Sequence, residues 1–170
     1  MARPIPPPDP ELPQLADLHG AWIDRVATRD PARIAELLIV PFTVYYDDGY
    51  SGRTKPECDR WRRAVMLVTT VAERDELATC IAGTVHHHKP VATSMFALGG
   101  NPTHPIGIVP LDPLRNLVDE PVRDELSALA GDHAFVHGDT LSSSDYDFTL
   151  AVSRSRARIT FLALTSHPGC

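Results

Sequence analysis

The stretch "AWIDRVATRDPARIAELLIVPFTVYYDDG", residues 21–49, decides the fold class. Trp22 and Val26 continue an apolar stripe begun by Leu15 and Leu18, at the three- and four-residue spacing of a helix face. Asp30 is placed to cap a second helix with Pro31 at its first position, and that helix must stop before Pro41. "FTVYYDDG" then turns to aromatic and β-branched residues running into Asp-Asp-Gly, which reads as a strand ending in a turn. Two helices lead into one strand.

Outward from that stretch, "TKPE" has the capping-box form, with Thr54 facing the Glu57 amide. It predicts a third helix through "CDRWRRAVML", residues 58–67. The runs "TCIAGTVHHH", "VATSMFAL" and "PIGIVPL" read as short strands parted by Pro, Gly and Asn. A fourth helix fits "DEPVRDELSALAG", capped by Asp119 and ended by Gly131. "YDFTLAVS" and "ARITFLALT" close the chain as two strands, and the proline-rich Gly99–Asp119 segment reads as a long loop. The order predicts an α+β domain with helices packed on one face of a curved, mainly antiparallel sheet.

Residues 21–49, with the capped helix expected after them, resemble the opening of the NTF2-like (SnoaL-like) superfamily. The resemblance covers the N-terminal half and implies a cone-like fold that holds a pocket between helices and concave sheet. It also implies a choice of roles, because that superfamily contains isomerases, cyclases, dehydratases and epoxide hydrolases beside binding domains without catalysis. A fold of this kind specifies a pocket, not a reaction.

Bulk properties narrow the classes. At 170 residues the chain fits one domain: a proline-rich tail over 1–10, then a single unit over 11–170. A net charge of −6 argues against nucleic-acid binding, which needs cationic density. No apolar run suits a membrane span, and the N-terminus lacks a signal-peptide core. Cys58, Cys80 and Cys170 show no paired-ligand spacing, so reduced thiols in a cytoplasmic protein are expected, with neither disulfide nor structural zinc. Small sheets of this type often pair, so a homodimer is expected.

The chemistry-bearing residues fall into three groups. In "HHHKP", strand alternation would project His86 and His88 together and His87 oppositely. Such a pair offers two imidazoles to a metal, but no third ligand follows in the pattern, and the primary expectation is no cofactor and no metal. In "HAFVHGD", His133 and His137 share a face with Phe135, and His137 is a candidate proton-transfer group. In "FTVYYDD", Phe42 and Val44 look inward, so alternation puts Tyr46 and Asp48 on that side and Tyr45 and Asp47 outward. A phenol and a buried carboxylate at the mouth of an apolar face suit acid–base work on a carbonyl or epoxide oxygen.

The candidate catalytic set is therefore Tyr46, Asp48, His86, His88 and His137. Phe42, Val44, Trp61, Met95, Phe135, Tyr146 and Phe148 are candidate substrate contacts. No GxSxG elbow or phosphate-binding loop is present, which disfavours nucleotide cofactors. The reading is a small-pocket enzyme that handles a hydrophobic molecule by cofactor-free acid–base catalysis. Its alternatives are a non-catalytic binding or dimerising domain and a metal enzyme built on His86 and His88.

Overall fold

A computed structural model describes residues 12–47, 56–62, 64–84, 90–92, 108–109, 111–140 and 146–166. The helical opening forms as its spacing requires. Helix α1 (Leu12–Thr28) buries Trp22 and Val26 on one face. Helix α2 (Pro31–Ala35) starts at Asp30, whose carboxylate accepts the Ala32 amide at 3.0 Å, and Pro31 fills the position where no amide is needed. The helix is shorter than the run to Pro41 suggests. Leu37 and Leu38 tighten to bonds from the third residue back, at 3.2 and 3.0 Å, before strand β1 (Phe42–Asp47) begins.

The middle of the chain departs from the sequence reading. Residues 58–67 do not form a helix. A 3₁₀ turn (Pro56–Trp61) gives way to strand β2 (Val65–Val68), which pairs antiparallel with β1. Helix α3 (Val71–Thr84) then takes most of the run expected as a strand from residue 79. Its start is fixed by a capping box at Thr70 and Glu73. The Thr70 hydroxyl accepts the Glu73 amide at 3.1 Å, and the Glu73 carboxylate accepts the Thr70 amide at 3.2 Å. The Thr70 hydroxyl, foremost, holds the Glu73 carboxyl below its ordinary range. Leu77, Cys80, Ile81 and Thr84 keep helical spacing and are all buried, which outweighs the β-branched character that suggests a strand.

After short strands β3 (Pro90–Ala92) and β4 (Ile108–Val109), helix α4 (Leu111–Arg115) occupies part of the expected loop. Helix α5 (Glu120–Leu129) follows, with Asp119 at its N-terminal cap position. Gly131, just past its end, has φ +119°, which no Cβ-bearing residue adopts without strain. Strands β5 (His133–Thr140), β6 (Tyr146–Ser153) and β7 (Arg158–Ser166) complete one mixed sheet in the order β2-β1-β7-β6-β5-β3, with β4 also on β5. Only the β1–β7 pairing is parallel among these strands. The α+β class and mainly antiparallel sheet stand as expected.

Each face of the sheet has its own core. Phe42, Val44, Tyr46, Val136, Phe148, Leu150, Leu162 and Leu164 pack under α1, α2 and α3 on the inner face. Tyr45, Phe135, Ala151, Phe161 and Ala163 pack under α4 and α5 on the outer face. The late helices thus add a second cover beyond the expected helical layer. A bulge opposite Ala151 and Val152 makes the split possible. Ala151 pairs with Phe161 and Val152 with Ile159, so Thr160 is the extra residue, and Ile159 and Phe161 go to opposite faces.

The cysteines also differ from expectation. Cys58 on the 3₁₀ turn and Cys80 on α3 form a disulfide across a Cα separation of 4.9 Å, and both are fully buried. Twenty-two residues separate them, so only the packing of the turn on the helix brings them together. The ground for a cytoplasmic setting, that all three cysteines are thiols, is removed. No described helix is long and apolar enough to cross a membrane.

In denaturant without reductant, titration should find one thiol per chain where the composition has three cysteines. Closing a loop of this length stabilises by about 3 kcal/mol, so Cys58→Ala/Cys80→Ala should lower the unfolding free energy by roughly that amount. Unchanged urea midpoints in the double variant would contradict the pairing.

Candidate functional site

The inner core contains a knot of polar atoms. Thr84 is in the last turn of α3, and its hydroxyl donates to the Cys80 carbonyl at 2.7 Å, as i−4 back-bonding allows. That uses its one hydrogen, so the Tyr46 phenol is the donor across the 3.5 Å to Thr84 Oγ1. Cys58 Sγ lies 3.6 Å from the same oxygen. Tyr46 and Thr84 are 1% and 2% exposed. At 3.5 Å the contact between the phenol and Thr84 is at the weak limit of a hydrogen bond.

Two more donors share this core. Trp22 Nε1 and Trp61 Nε1 are buried and have no hydrogen-bond partner among the described residues. The Trp22 ring sits 6.1 Å from that of Phe148 at a tilted 57°, and Arg60 lies over the Trp61 ring at 5.1 Å while pairing with Glu73 and Glu76. Aromatic walls with inward N–H and O–H groups can orient an apolar molecule that carries a hydrogen-bond acceptor.

The structure sorts the candidate residues by face. Tyr46, Phe42, Val44, Trp61 and Phe148 come together in the inner core. His137 and Phe135 are on the outer face, so His137 and Tyr46 do not meet across the sheet. His137 is 4% exposed, and its Nδ1 bonds Thr149 Oγ1 at 3.0 Å. Tyr45 is outward as alternation requires, yet it is buried because α4 and α5 cover that face. Asp48, His86, His88 and Met95 lie outside the described residues. Tyr146 opens β6 opposite Ser166, and its side chain is likewise outside them. Of the strand expected over residues 79–88, the part as far as Thr84 is helix, and the histidines lie beyond the described residues. Among the described residues no group of three His, Cys, Asp or Glu is placed to hold a metal.

Thr84 and Trp22 escape the sequence reading. Trp22 is legible only as a core residue of α1. Thr84 becomes visible only once the Thr70–Glu73 capping box turns residues 71–84 into a helix.

No protein-family model and no curated protein matches the chain. Solved structures of related arrangement include an NTF2-like protein of unknown function from Mesorhizobium loti. It is 13% identical, covers 95% of this chain and 97% of its own, and has a TM-score of 0.47. A protein with a ketosteroid isomerase-like fold from Catenulispora acidiphila, solved with trimethylamine, is 8% identical over 87% and 83% at 0.45. AusH from Aspergillus nidulans is 12% identical over 95% and 87% at 0.47. Likeness at this level carries no argument about activity or family.

Beside the outer face, partial desolvation foremost and then the negative charge of Asp47 push the Asp119 carboxyl above its ordinary range, although the residue stays exposed. A raised folded value means that ionisation costs stability: the penalty is absent below the ordinary carboxylate range and complete once pH passes the folded value. Asp119 makes no side-chain cap bond, so Asp119→Asn loses none. The variant should be slightly more stable than the parent at neutral pH and equal to it in acid, as thermal melts across pH will show. A uniform loss at every pH would contradict the electrostatic account.

Proposed function

We propose that the chain binds a hydrophobic small molecule carrying a hydrogen-bond acceptor, held between α1, α3 and the inner face of the sheet, with Tyr46 as the donor that polarises it. One observation carries the reading. The inner core, which also holds Tyr46, buries two indole N–H groups without an acceptor among the described residues. An unsatisfied buried donor costs about 1–3 kcal/mol, and an acceptor-bearing ligand relieves that cost.

The chemistry this favours is cofactor-free acid–base catalysis of the isomerase, cyclase, dehydratase or hydrolase kind. In this reading Tyr46 stabilises developing charge on a carbonyl or epoxide oxygen. Asp48, His86 and His88 are the proposed proton-transfer partners, because β1 ends one residue before Asp48 and α3 two residues before His86. The pocket would take Phe42, Val44, Trp61 and Phe148 as its apolar wall. A purely binding role uses the same groups without the proton transfer.

Prodan, a fluorescent naphthyl ketone, is the probe: an apolar body with one carbonyl whose emission reports its hydrogen bonding. It should bind with blue-shifted emission, and Tyr46→Phe should weaken binding about three- to tenfold, the worth of one neutral hydrogen bond. Tyr45→Phe, on the opposite face, should leave it unchanged. Equal effects of the two variants would overturn the assignment of the pocket to the inner face.

The homodimer belongs to the same proposal. Among the described strands β2 is a sheet edge, and its Val65 and Leu67 are 40% and 59% exposed. The run Ala64–Ala72 carries no charge, so nothing in it blocks antiparallel pairing with a second copy. Leu67→Glu should convert a dimeric mass to a monomeric one in sedimentation equilibrium. A monomer already present in the parent at micromolar concentration would refute the pairing.

A further inference from the structure

We infer that the outer face of the sheet carries a phosphate-binding site at its hairpin end, built on Arg158 and His133. It is separate from the inner pocket proposed above. Two of the buried polar atoms without a hydrogen-bond partner, His133 Nε2 and Arg158 Nε, belong to one row of the sheet. His133 pairs with Ser153 and Ser153 with Arg158, so the three side chains leave the same face. The strands that carry His133 and Arg158 are two spacings apart, about 10 Å, with only a serine between them.

Buried polar atoms are nearly always partnered, so two orphans in one row call for a shared guest. The groups around them specify its chemistry. Arg158 is partly buried and makes no hydrogen bond or ion pair among the described residues. His133 Nδ1 is 3.1 Å from the Leu129 carbonyl, which only accepts, so Nδ1 carries a hydrogen. Nε2 therefore accepts a hydrogen when the ring is neutral and donates one when it is cationic. A hydrogen phosphate suits both states. Its O–H donates to the neutral ring, its anionic oxygens accept from the cationic one, and in either case they accept from the Arg158 guanidinium.

The serines do not compete for this role. Ser153 and Ser155 both donate to the Asp132 carboxylate, at 3.0 and 2.9 Å. Against that carboxylate the run "RSRAR", residues 154–158, sets three guanidinium groups in a chain whose net charge is −6. This end of the molecule thus has the sign that an anion needs. With no bond to break, the Arg158 side chain swings aside to admit the ion and closes on it.

The test titrates sodium phosphate into the full chain at pH 7 and fixed ionic strength, followed by NMR at Arg158 Nε–H and the His133 ring. Both signals should shift together and saturate, and sodium chloride should not reproduce the shifts. Arg158→Gln should weaken binding roughly tenfold or more, the worth of one charge-assisted hydrogen bond. Arg158→Lys keeps the charge, loses the planar fork and should weaken it as well. Arg156→Gln, on the exposed turn, should change it by less than about twofold, because an exposed charge is screened. Phenyl phosphate assigns the source. Equal affinity identifies a phosphate ester as the ligand, binding of inorganic phosphate alone identifies the free ion, and either upholds the site. The absence of a saturable shift would overturn the proposal and leave the row to solvent. Equal losses in Arg158→Gln and Arg156→Gln would overturn it too and leave only diffuse attraction. Should Arg158→Gln fail to fold by circular dichroism, Arg158→Lys decides: affinity equal to the parent's refutes the site.

Discussion

The period of two along a strand governs which groups in this molecule can act together. Across β1, β7, β6 and β5 the pairing aligns Tyr45, Ala163, Thr149 and His137 in one row, and all four are buried on the outer side of the sheet. Tyr46 is one residue further along β1 and faces the other way, into the core under α1 and α3. Two residues that both look like acid–base groups in the sequence are therefore separated by the sheet itself. The bulge at Thr160 keeps this arrangement consistent to the end of β7. Without the extra residue Ile159 and Phe161 would share a face, and one of the two cores would lose a large side chain.

That separation changes what His137 is. A histidine four residues from another, with a phenylalanine between, suggests a reactive wall when the strand is read alone. Under α4 and α5 the same residue is buried, with a ring nitrogen bonded to Thr149 on the neighbouring strand. The inner core holds polar groups that are not all satisfied locally, and His133, on the strand of Phe135, has such a group too. Indole N–H groups are obligate donors, and the described neighbours of Trp22 and Trp61 supply no acceptor. A core built only for stability would place phenylalanine or leucine there and avoid the penalty.

Local signals carried much of this fold, and tertiary ones carried the rest. Asp30 and Pro31 announce α2, the alternation from Phe42 announces β1, and Gly131 announces the end of α5. Each acts within a few residues, so each is legible in sequence. The third helix was misplaced because two capping-box patterns compete, Thr54 with Glu57 and Thr70 with Glu73. The second precedes the better helical spacing, Leu77, Cys80, Ile81 and Thr84, and the β-branched residues in that run obscure it. The disulfide carried no local signal at all, since its partners meet only after the 3₁₀ turn docks on α3. Of the inner core, the burial of Phe42, Val44, Trp61 and Phe148 is legible from alternation and composition, while that of Thr84 is not.

The placement of Thr84 follows from the same capping box. Glu73 and Thr70 fix where α3 starts, and its residue count then puts Thr84 one turn beyond Cys80, on the buried side and within reach of β1. Slipping the start by one residue would rotate the helix by about 100° and turn Cys80 and Thr84 away from Cys58 and Tyr46. An exposed two-residue cap thus determines whether a buried sulfur pair and a buried phenol share one threonine.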